Sequence, residues 1–329
     1  MAPGNVDAAP LVVVAEPLDG EALDWLAARC RVAVCNATGG RSTGPGRSAL
    51  GPAVAPTLER LLPEADGLVV RTYTRVDEAL LTAAPRLRVV GRAGVGLDNI
   101  DLDATARRGI EVVHTPDANT QAVVEYVVAL MCDAIRPRAA LAGAVEPAEW
   151  SRLRAEVVGR RQLDECVLGV LGLGRIGRRI AEVGGALGMR TIYNDLLKIG
   201  PERSGGAEPV SVERLFAESD ILTIHVDGRP SNRGFVGRPL IDRLRPDAIL
   251  INTSRGFVID HGALRGFLTE RPQALALLDV HEPEPIGPDH PLIGVPNAHL
   301  FPHLASRTES AMRRMSWVVR DVARALGVE

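Results

Sequence analysis

A short glycine-rich run constrains the fold of this chain more than any other feature. The apolar segment Val167–Leu171 has the length of a buried strand, and Gly172, Gly174 and Gly177 follow it in the pattern G-x-G-x-x-G. A helical pattern continues from Arg178 to Leu187. In a strand–turn–helix unit of this kind, the first glycine permits the tight turn, the second lets the backbone approach a pyrophosphate, and the third allows close helix–strand packing. The run therefore predicts a dinucleotide-binding turn.

An acidic residue supports this interpretation. Asp195 ends the next predicted strand, Thr191–Tyr193, and lies 18 residues after Gly177. A carboxylate at that place can bind both ribose hydroxyls and would repel a 2′-phosphate, which favours NAD over NADP. A tight strand–helix turn without a ligand is the alternative.

Strand and helix patterns alternate along the rest of the chain, which predicts an α/β fold of parallel sheets covered by helices. At roughly 100–200 residues per domain, 329 residues predict two domains. We expect a long helix over Thr120–Ile135, a final helix over Trp317–Leu326 and a long surface loop over Ala37–Pro56. The further predicted strands are Leu11–Val14, Val32–Val34, Gly67–Val70, Leu87–Val90, Ile110–Val113, Ile221–His225, Ala248–Ile251 and Ala274–Leu278.

Composition excludes several classes of protein. The net charge of −3 and the aromatic content of 3% argue against a nucleic-acid partner. The sequence has neither a membrane-spanning apolar run nor the pattern of a signal peptide. Cys30, Cys35, Cys132 and Cys166 form no CxxC pair, so we expect reduced thiols and no metal. A cytoplasmic enzyme that binds neither membrane nor nucleic acid fits these observations.

Five further motifs, in this order, resemble the D-isomer-specific 2-hydroxyacid dehydrogenases, and among them the 3-phosphoglycerate dehydrogenases. The resemblance extends from about Val12 to Trp317. The motifs are GRAGVGLDNID at 91–101, HTPDANT at 114–120, INTSRG at 251–256, LDVHEPEP at 278–285 and FPHLAS at 301–306.

The resemblance implies two Rossmann-like or flavodoxin-like domains, with the NAD-binding domain inserted into a discontinuous substrate-binding domain. The substrate-binding domain would take residues 1–118 and 304–329, and the NAD-binding Rossmann domain residues 119–303. Because the sequence ends soon after the last helical segment, we expect the short form, without a regulatory domain. The family also implies a homodimer, with Arg138–Val158 as the segment of contact.

Three residues match the catalytic positions of this family. Arg255 would bind the substrate carboxylate with its planar guanidinium, although a surface salt bridge is the alternative. His303 would be the acid/base, because imidazole exchanges protons near neutral pH. Glu284, five residues after Asp279, would pair with the imidazolium; Glu282 is expected to be solvated and His281 to be exposed or to take part in packing.

The resemblance also assigns binding residues. Asp279 matches a residue that binds the nicotinamide carboxamide, and Arg71 matches the position that binds a distal phosphate; a structural role is the alternative for Arg71 and Arg92. The full cofactor set is Gly172, Gly174, Arg175, Ile176, Gly177, Asp195, His225, Val226, Thr253, Ser254, Asp279, His303 and Ala305. The substrate set is Arg71, Arg92, Val95, Gly96, Asn119 and Arg255.

The expected reaction is hydride transfer between NAD and C2 of a small anionic D-2-hydroxy or 2-keto acid. Which acid is left open; the two arginines favour a phosphorylated acid such as 3-phosphoglycerate, or a phosphonate. Formate oxidation is disfavoured, because formate dehydrogenases carry Gln at the position of Glu284. Two alternatives stay open: a phosphite-type dehydrogenase on the same scaffold, and an NAD(H)-sensing protein of the corepressor kind.

Overall fold

A computed structural model describes residues 9–35 and 57–329, which form two compact units. One unit contains the described residues up to Asn119 together with Arg307–Glu329, and the other contains Thr120–Ser306. The loop expected over Ala37–Pro56 lies outside the described residues.

All strand pairs of the described chain are parallel. The strands are β1 Leu11–Val14, β2 Arg31–Val34, β3 Gly67–Val70, β4 Val89–Arg92, β5 Glu111–His114, β6 Val167–Leu171, β7 Arg190–Asn194, β8 Glu208–Pro209, β9 Ile221–Ile224, β10 Ile249–Asn252, β11 Leu275–Leu278 and β12 Ala298–Leu300. The predicted α/β class is confirmed, and the predicted strands agree with these within one or two residues at each end.

Helices occupy the connections between the strands. They are α1 Gly20–Ala27, α2 Leu58–Leu61, α3 Glu78–Ala83, α4 Leu102–Arg107, α5 Thr120–Ile135, α6 Pro147–Glu156, α7 Arg175–Ala186, α8 Val212–Glu218, α9 Arg238–Ile241, α10 His261–Glu270, α11 Glu309–Ser316 and α12 Val319–Leu326. No helix in the described part of the chain is long and apolar enough to cross a membrane. The four cysteines are free thiols, and three of them are buried.

The first unit contains a five-stranded sheet in the order β2-β1-β3-β4-β5. Strands β1 and β3 lie in its middle and are buried along their whole length, as their uninterrupted apolar sequences predict. Helix α12 packs on β3 and β4, where Gly67 and Gly91 leave room for the side chains of Val322 and Leu326.

The second unit contains a seven-stranded sheet in the order β12-β11-β10-β9-β6-β7-β8. Its order reverses at β6, which places the glycine-rich turn beside β9 at the point where α/β folds bind dinucleotides. The two outermost strands, β8 and β12, are not predicted by the apolar pattern of the sequence. Both are very short, with two and three residues, and half-exposed or exposed, so they lack the apolar pattern of an inner strand.

Helix α5 has the predicted bounds, Thr120–Ile135. Its buried residues recur at helical spacing, and this face packs against α7. The final helix predicted over Trp317–Leu326 is confirmed as α12, which begins two residues later, at Val319, and ends at Leu326; the polar helix α11 before it was not predicted. Thr308 caps α11 by accepting a hydrogen bond from the amide of Ala311, and Trp317 lies between α11 and α12 with its ring edge-on to Trp25.

Packing of α12 on β4 gives a prediction about stability. A Cβ atom at Gly91 would lie 2.4 Å from Cγ2 of the fully buried Val322. We expect Gly91→Ala to lower the free energy of unfolding by about 1–3 kcal/mol, as overpacking of a dense core does. Gly20→Ala is the control, because nothing lies within 4 Å of a Cβ at Gly20. Denaturant unfolding that gives the same free energy for Gly91→Ala and wild type would contradict this packing.

Candidate active site

Three loops of the second unit follow neighbouring strands at the carboxyl edge of its sheet. Arg255 follows β10, Glu284 follows β11 and His303 follows β12. Parallel strands place such loops side by side, and ligands of α/β sheets bind at this edge. The sequence motifs that carry the three predicted catalytic residues are therefore brought together by the strand order.

Glu284 and His303 form a direct hydrogen bond. Nδ1 of His303 lies 2.8 Å from Oε2 of Glu284, and the other oxygen, Oε1, accepts the amide of His281 at 2.8 Å. Burial opposes ionisation of Glu284, but the bonds from His303 and His281 outweigh it, so the pKa of Glu284 lies below its ordinary value. An ionised carboxylate only accepts hydrogen bonds, so Nδ1 of His303 carries a proton and Nε2 is left to exchange one.

The backbone of His303 adopts a left-handed conformation, with φ of 56°. Asp279 holds it there: its carbonyl accepts the amide of His303 at 3.0 Å, and its carboxylate accepts the amides of Leu304 at 2.7 Å and Ala305 at 2.8 Å. The Asp279 side chain is 0% exposed, and burial raises its pKa although these amides oppose the shift. Asp279 thus stabilises the loop that carries His303. Its contact with the nicotinamide carboxamide stays a prediction.

The loop of Arg255 is held by the side chain at the end of its own strand. Asn252 donates from Nδ2 to the carbonyl of Arg255 at 2.9 Å and accepts the amide and hydroxyl of Ser254. The guanidinium of Arg255 is half-buried and donates from Nη1 to the carbonyl of Ser254 at 2.6 Å. A Cβ at Gly256 would lie 2.0 Å from the carbonyl carbon of His281, so this loop and the Glu284 loop pack backbone to backbone.

His281 is a packing residue and not an exposed one. Its side chain is buried, with Nε2 2.7 Å from the carbonyl of Phe301 and its ring edge-on to His290. His290 in turn contacts His261, where burial lowers the pKa to about 4. Glu282 is exposed, as expected for a solvated residue.

The glycine-rich turn has the geometry that its pattern predicts. Gly172 has φ of 90°, and a Cβ there would lie 2.8 Å from the carbonyl carbon of His225. A Cβ at Gly177 would lie 2.1 Å from the carbonyl oxygen of Gly172. Gly174 caps α7, and nothing lies within 4 Å of its Cβ position, so open space adjoins the amides of the first helical turn, which contains Arg175 and Ile176.

Asp195 lies against this turn. Its Oδ2 accepts the amide of Leu173 at 2.7 Å, and its Oδ1 accepts the amide of Leu197 at 2.8 Å. The carboxylate is half-buried and thus within reach of a ligand. The open helix end and the adjacent carboxylate fit NAD, with the turn for the pyrophosphate and Asp195 for the ribose hydroxyls.

The remaining predicted cofactor residues lie on the same edge of the sheet. His225 and Val226 follow β9 and touch the glycine turn. Burial lowers the pKa of His225 to about 3, and its Nε2 lies 2.7 Å from the hydroxyl of Thr223, so it is neutral. Thr253 has a buried hydroxyl that finds no hydrogen-bond partner within the described chain. Ser254 and Ala305 are buried.

The other predicted substrate residues belong to the first unit. Arg71 directly follows β3, and its Nη1 donates to the carbonyl of Pro17 at 3.1 Å. Arg92 ends β4 and folds over Gly94, where a Cβ would lie 1.3 Å from its Nη1. Val95 and Gly96 are half-buried in the turn that follows, and Asn119 keeps its buried Oδ1 without a hydrogen-bond partner in the described residues.

Two residues near Arg71 were missed by the sequence analysis. Glu16 is buried just after β1 and binds the loop of Arg71; an acidic residue at the carboxyl end of an apolar strand was the available signal. Burial lowers the pKa of Arg71, the charge of Glu16 opposes this, and the like charge of Arg307 adds to the lowering. No sequence pattern pointed to Arg307.

The chain is similar to known proteins in sequence and in fold. The family described as "D-isomer specific 2-hydroxyacid dehydrogenase, NAD binding domain" matches residues 128–305. A glyoxylate reductase of Aeropyrum pernix is 41% identical over 263 residues, which are 78% of each chain. A D-3-phosphoglycerate dehydrogenase of Archaeoglobus fulgidus is 33% identical over 313 residues, which are 94% of this chain and 56% of that protein. The chain thus spans little more than half the length of that relative.

A solved structure shows the same architecture. The crystal structure of D-lactate dehydrogenase from Aquifex aeolicus, complexed with NAD and lactic acid, has a TM-score of 0.78 at 25% identity and covers 96% of each chain. Together with the matched NAD-binding domain and the relatives above, it establishes that this chain belongs to the D-isomer-specific 2-hydroxyacid dehydrogenases, a family of NAD-dependent enzymes.

Proposed function

We propose that this enzyme transfers a hydride between NAD and C2 of a small 2-keto or 2-hydroxy acid that carries a second anionic group. The observation that supports the proposal most strongly is the Glu284–His303 hydrogen bond, on the same sheet edge as the Arg255 loop and the glycine turn. Bound NAD supplies the hydride acceptor in one direction and, as NADH, the donor in the other.

His303 handles the proton in this scheme. With Nδ1–H directed to Glu284, protonated Nε2 gives a proton to the C2 oxygen during reduction, and neutral Nε2 takes it back during oxidation. Glu284 holds the ring and balances the charge of the imidazolium. Arg255 binds the substrate carboxylate and polarises the C2 oxygen with its planar set of donors.

The cations of the first unit support a substrate with two anionic groups. Arg71 is held in place through Pro17, and the charge of Arg307 acts on it. Two neighbouring guanidinium groups bind a phosphate or phosphonate well, because each offers several donors. We therefore favour phosphohydroxypyruvate or a similar dianion over glyoxylate as the keto acid, and we assign Arg92, Val95, Gly96 and Asn119 to the same substrate-binding surface.

We also propose that the enzyme is a homodimer. Helix α6 has no buried residue, and Trp150 within it is 51% exposed. The exposed apolar residues Leu141, Val145 and Val158 lie in the same stretch of chain. A helix without a buried face gains stability when a second subunit covers it.

The catalytic assignment predicts the effect of two substitutions. His303→Ala should lower kcat for reduction of the keto acid about 10²- to 10⁴-fold, because it removes the proton donor. Arg255→Ala should lower kcat/KM about 10²-fold or more. In both variants the Kd for NADH, from fluorescence titration, should stay within about twofold of wild type. Normal turnover in either variant would disprove its assigned role.

The lowered pKa of Glu284 predicts a pH effect. Because the folded-state pKa is below 4.5, the stability that this carboxylate contributes is present above pH 4.5 and is lost only as pH falls through that lower pKa. Glu284→Gln removes the contribution, so the gap in unfolding free energy between wild type and variant should shrink as pH falls below 4.5. A gap that is constant with pH would show that folding does not lower the pKa of this carboxyl group.

The preference for NADH over NADPH tests whether Asp195 binds the ribose of the cofactor. Asp195→Ala should weaken NADH binding about tenfold, through loss of hydrogen bonds to a charged group, and should improve binding of NADPH. Glu202→Ala, at an exposed residue further along the same connection, is the control and should leave both affinities unchanged. If the ratio of the NADH and NADPH dissociation constants is the same in Asp195→Ala and wild type, Asp195 does not bind the ribose.

A further inference from the structure

The carboxylate of Glu16 fills a ring of backbone amides in the first unit. Its two oxygens accept hydrogen bonds from four successive residues: Arg71 at 2.9 Å, Thr72 at 3.0 Å, Tyr73 at 3.2 Å and Thr74 at 3.0 Å. The side chain is buried, with 4% of the residue exposed. One acidic group therefore sets the conformation of the whole 71–74 loop.

Physical chemistry requires this carboxylate to be charged. Burial opposes ionisation, but four N–H donors favour it more strongly, and the pKa of Glu16 lies below its ordinary value. A neutral carboxylic acid or a carboxamide in the same place carries hydrogens of its own. These hydrogens would face some of the loop's N–H groups, which would then lack a hydrogen-bond acceptor. The loop conformation thus depends on the charge of Glu16 and not only on its size.

A second residue, Asn99, binds carbonyl groups of the same loop. Asn99 donates from Nδ2 to the carbonyl of Arg71 at 3.1 Å and to the carbonyl of Thr74 at 2.7 Å. Glu16 therefore binds the amides of the loop, and Asn99 binds the carbonyls at its two ends.

The side chain of Arg71 is fixed by the same segment as its backbone. Its Nη1 donates to the carbonyl of Pro17, the neighbour of Glu16 in the chain. Glu16 thus binds the backbone amide of Arg71, and Pro17 binds its guanidinium. Tyr73, in the middle of the loop, is 72% exposed, so the loop has little apolar packing of its own to replace these bonds.

We propose that Glu16 is a positioning residue that fixes the guanidinium of Arg71 for the second anionic group of the substrate. The inference rests on the proposed function, since it assigns Arg71 to a dianionic 2-keto acid. It makes Glu16 a determinant of substrate choice that acts through Arg71, without itself contacting substrate or NAD.

The test compares phosphohydroxypyruvate with hydroxypyruvate, which lacks the phosphate. Wild type should have a kcat/KM for the phosphorylated acid at least about tenfold higher. Glu16→Gln should raise KM for that acid about tenfold or more, because it breaks charge-assisted bonds to the loop. KM for hydroxypyruvate, kcat for both acids and the Kd for NADH should change by no more than about twofold. Glu21→Gln, an exposed acid that loses the same charge, should resemble wild type.

A double-mutant cycle separates positioning from a general loss of structure. In an Arg71→Gln background, Glu16→Gln should raise KM for phosphohydroxypyruvate by less than about twofold, because its effect already passes through Arg71. If Glu16→Gln does not fold, Asn99→Ala leaves the carboxylate in place, loosens the same loop, and should show the same selective rise in KM and the same loss of effect in the Arg71→Gln background.

Four results would overturn the inference. Additive effects in the cycle, or equal changes of KM for both acids, would show that Glu16 does not act through Arg71. A wild-type enzyme that does not prefer the phosphorylated acid would remove the role of Arg71 while leaving hydride transfer in place. A wild-type enzyme that oxidises NADH with neither acid would overturn the proposed function as well.

Discussion

The geometry of the candidate active site depends on the buried carboxylate of Asp279. It accepts the amides of Leu304 and Ala305, while the Asp279 carbonyl accepts the amide of His303. These bonds join the end of β11 to the loop after β12 and hold His303 at a positive φ, a conformation that costs a residue other than glycine on the order of 1–3 kcal/mol. The loop held in this way places Nδ1 of His303 2.8 Å from Oε2 of Glu284.

Both units contain acidic side chains that bind the backbone amides of a loop in this way. Asp195 follows β7 and binds the amides of Leu173 and Leu197, and Glu16 follows β1 and binds the amides of the 71–74 loop. In each case an acidic residue just beyond the end of a buried strand holds a neighbouring loop by its N–H groups. Loops at the carboxyl edge of a parallel sheet carry the functional side chains. Because these carboxylates bind the amides of the loops, they fix the side chains in position relative to the sheet.

Local signals in the sequence were enough to predict most of the sheet, and the family resemblance predicted the contact between Glu284 and His303. The apolar runs marked the inner strands, and the resemblance, whose pattern places an acid five residues after Asp279, favoured Glu284 over Glu282 as the partner of His303. Features made by distant residues were not predictable in this way. The burial of His281 depends on Phe301 and His290, and the carboxylate of Glu16 accepts hydrogen bonds from amides 55–58 residues further along the chain. Edge strand β12 has only three residues and helix α11 is mostly polar, so neither has the apolar run that marks the other elements.

Hydride transfer to C2 is the central claim, and isotope transfer tests it most directly. The enzyme would be given NADH deuterated at the reactive C4 position together with phosphohydroxypyruvate, and the product would be analysed by NMR and chiral chromatography. The account predicts one deuterium at C2 of the D-2-hydroxy acid and a product of a single configuration. Product without deuterium at C2, or a racemic product, would contradict it.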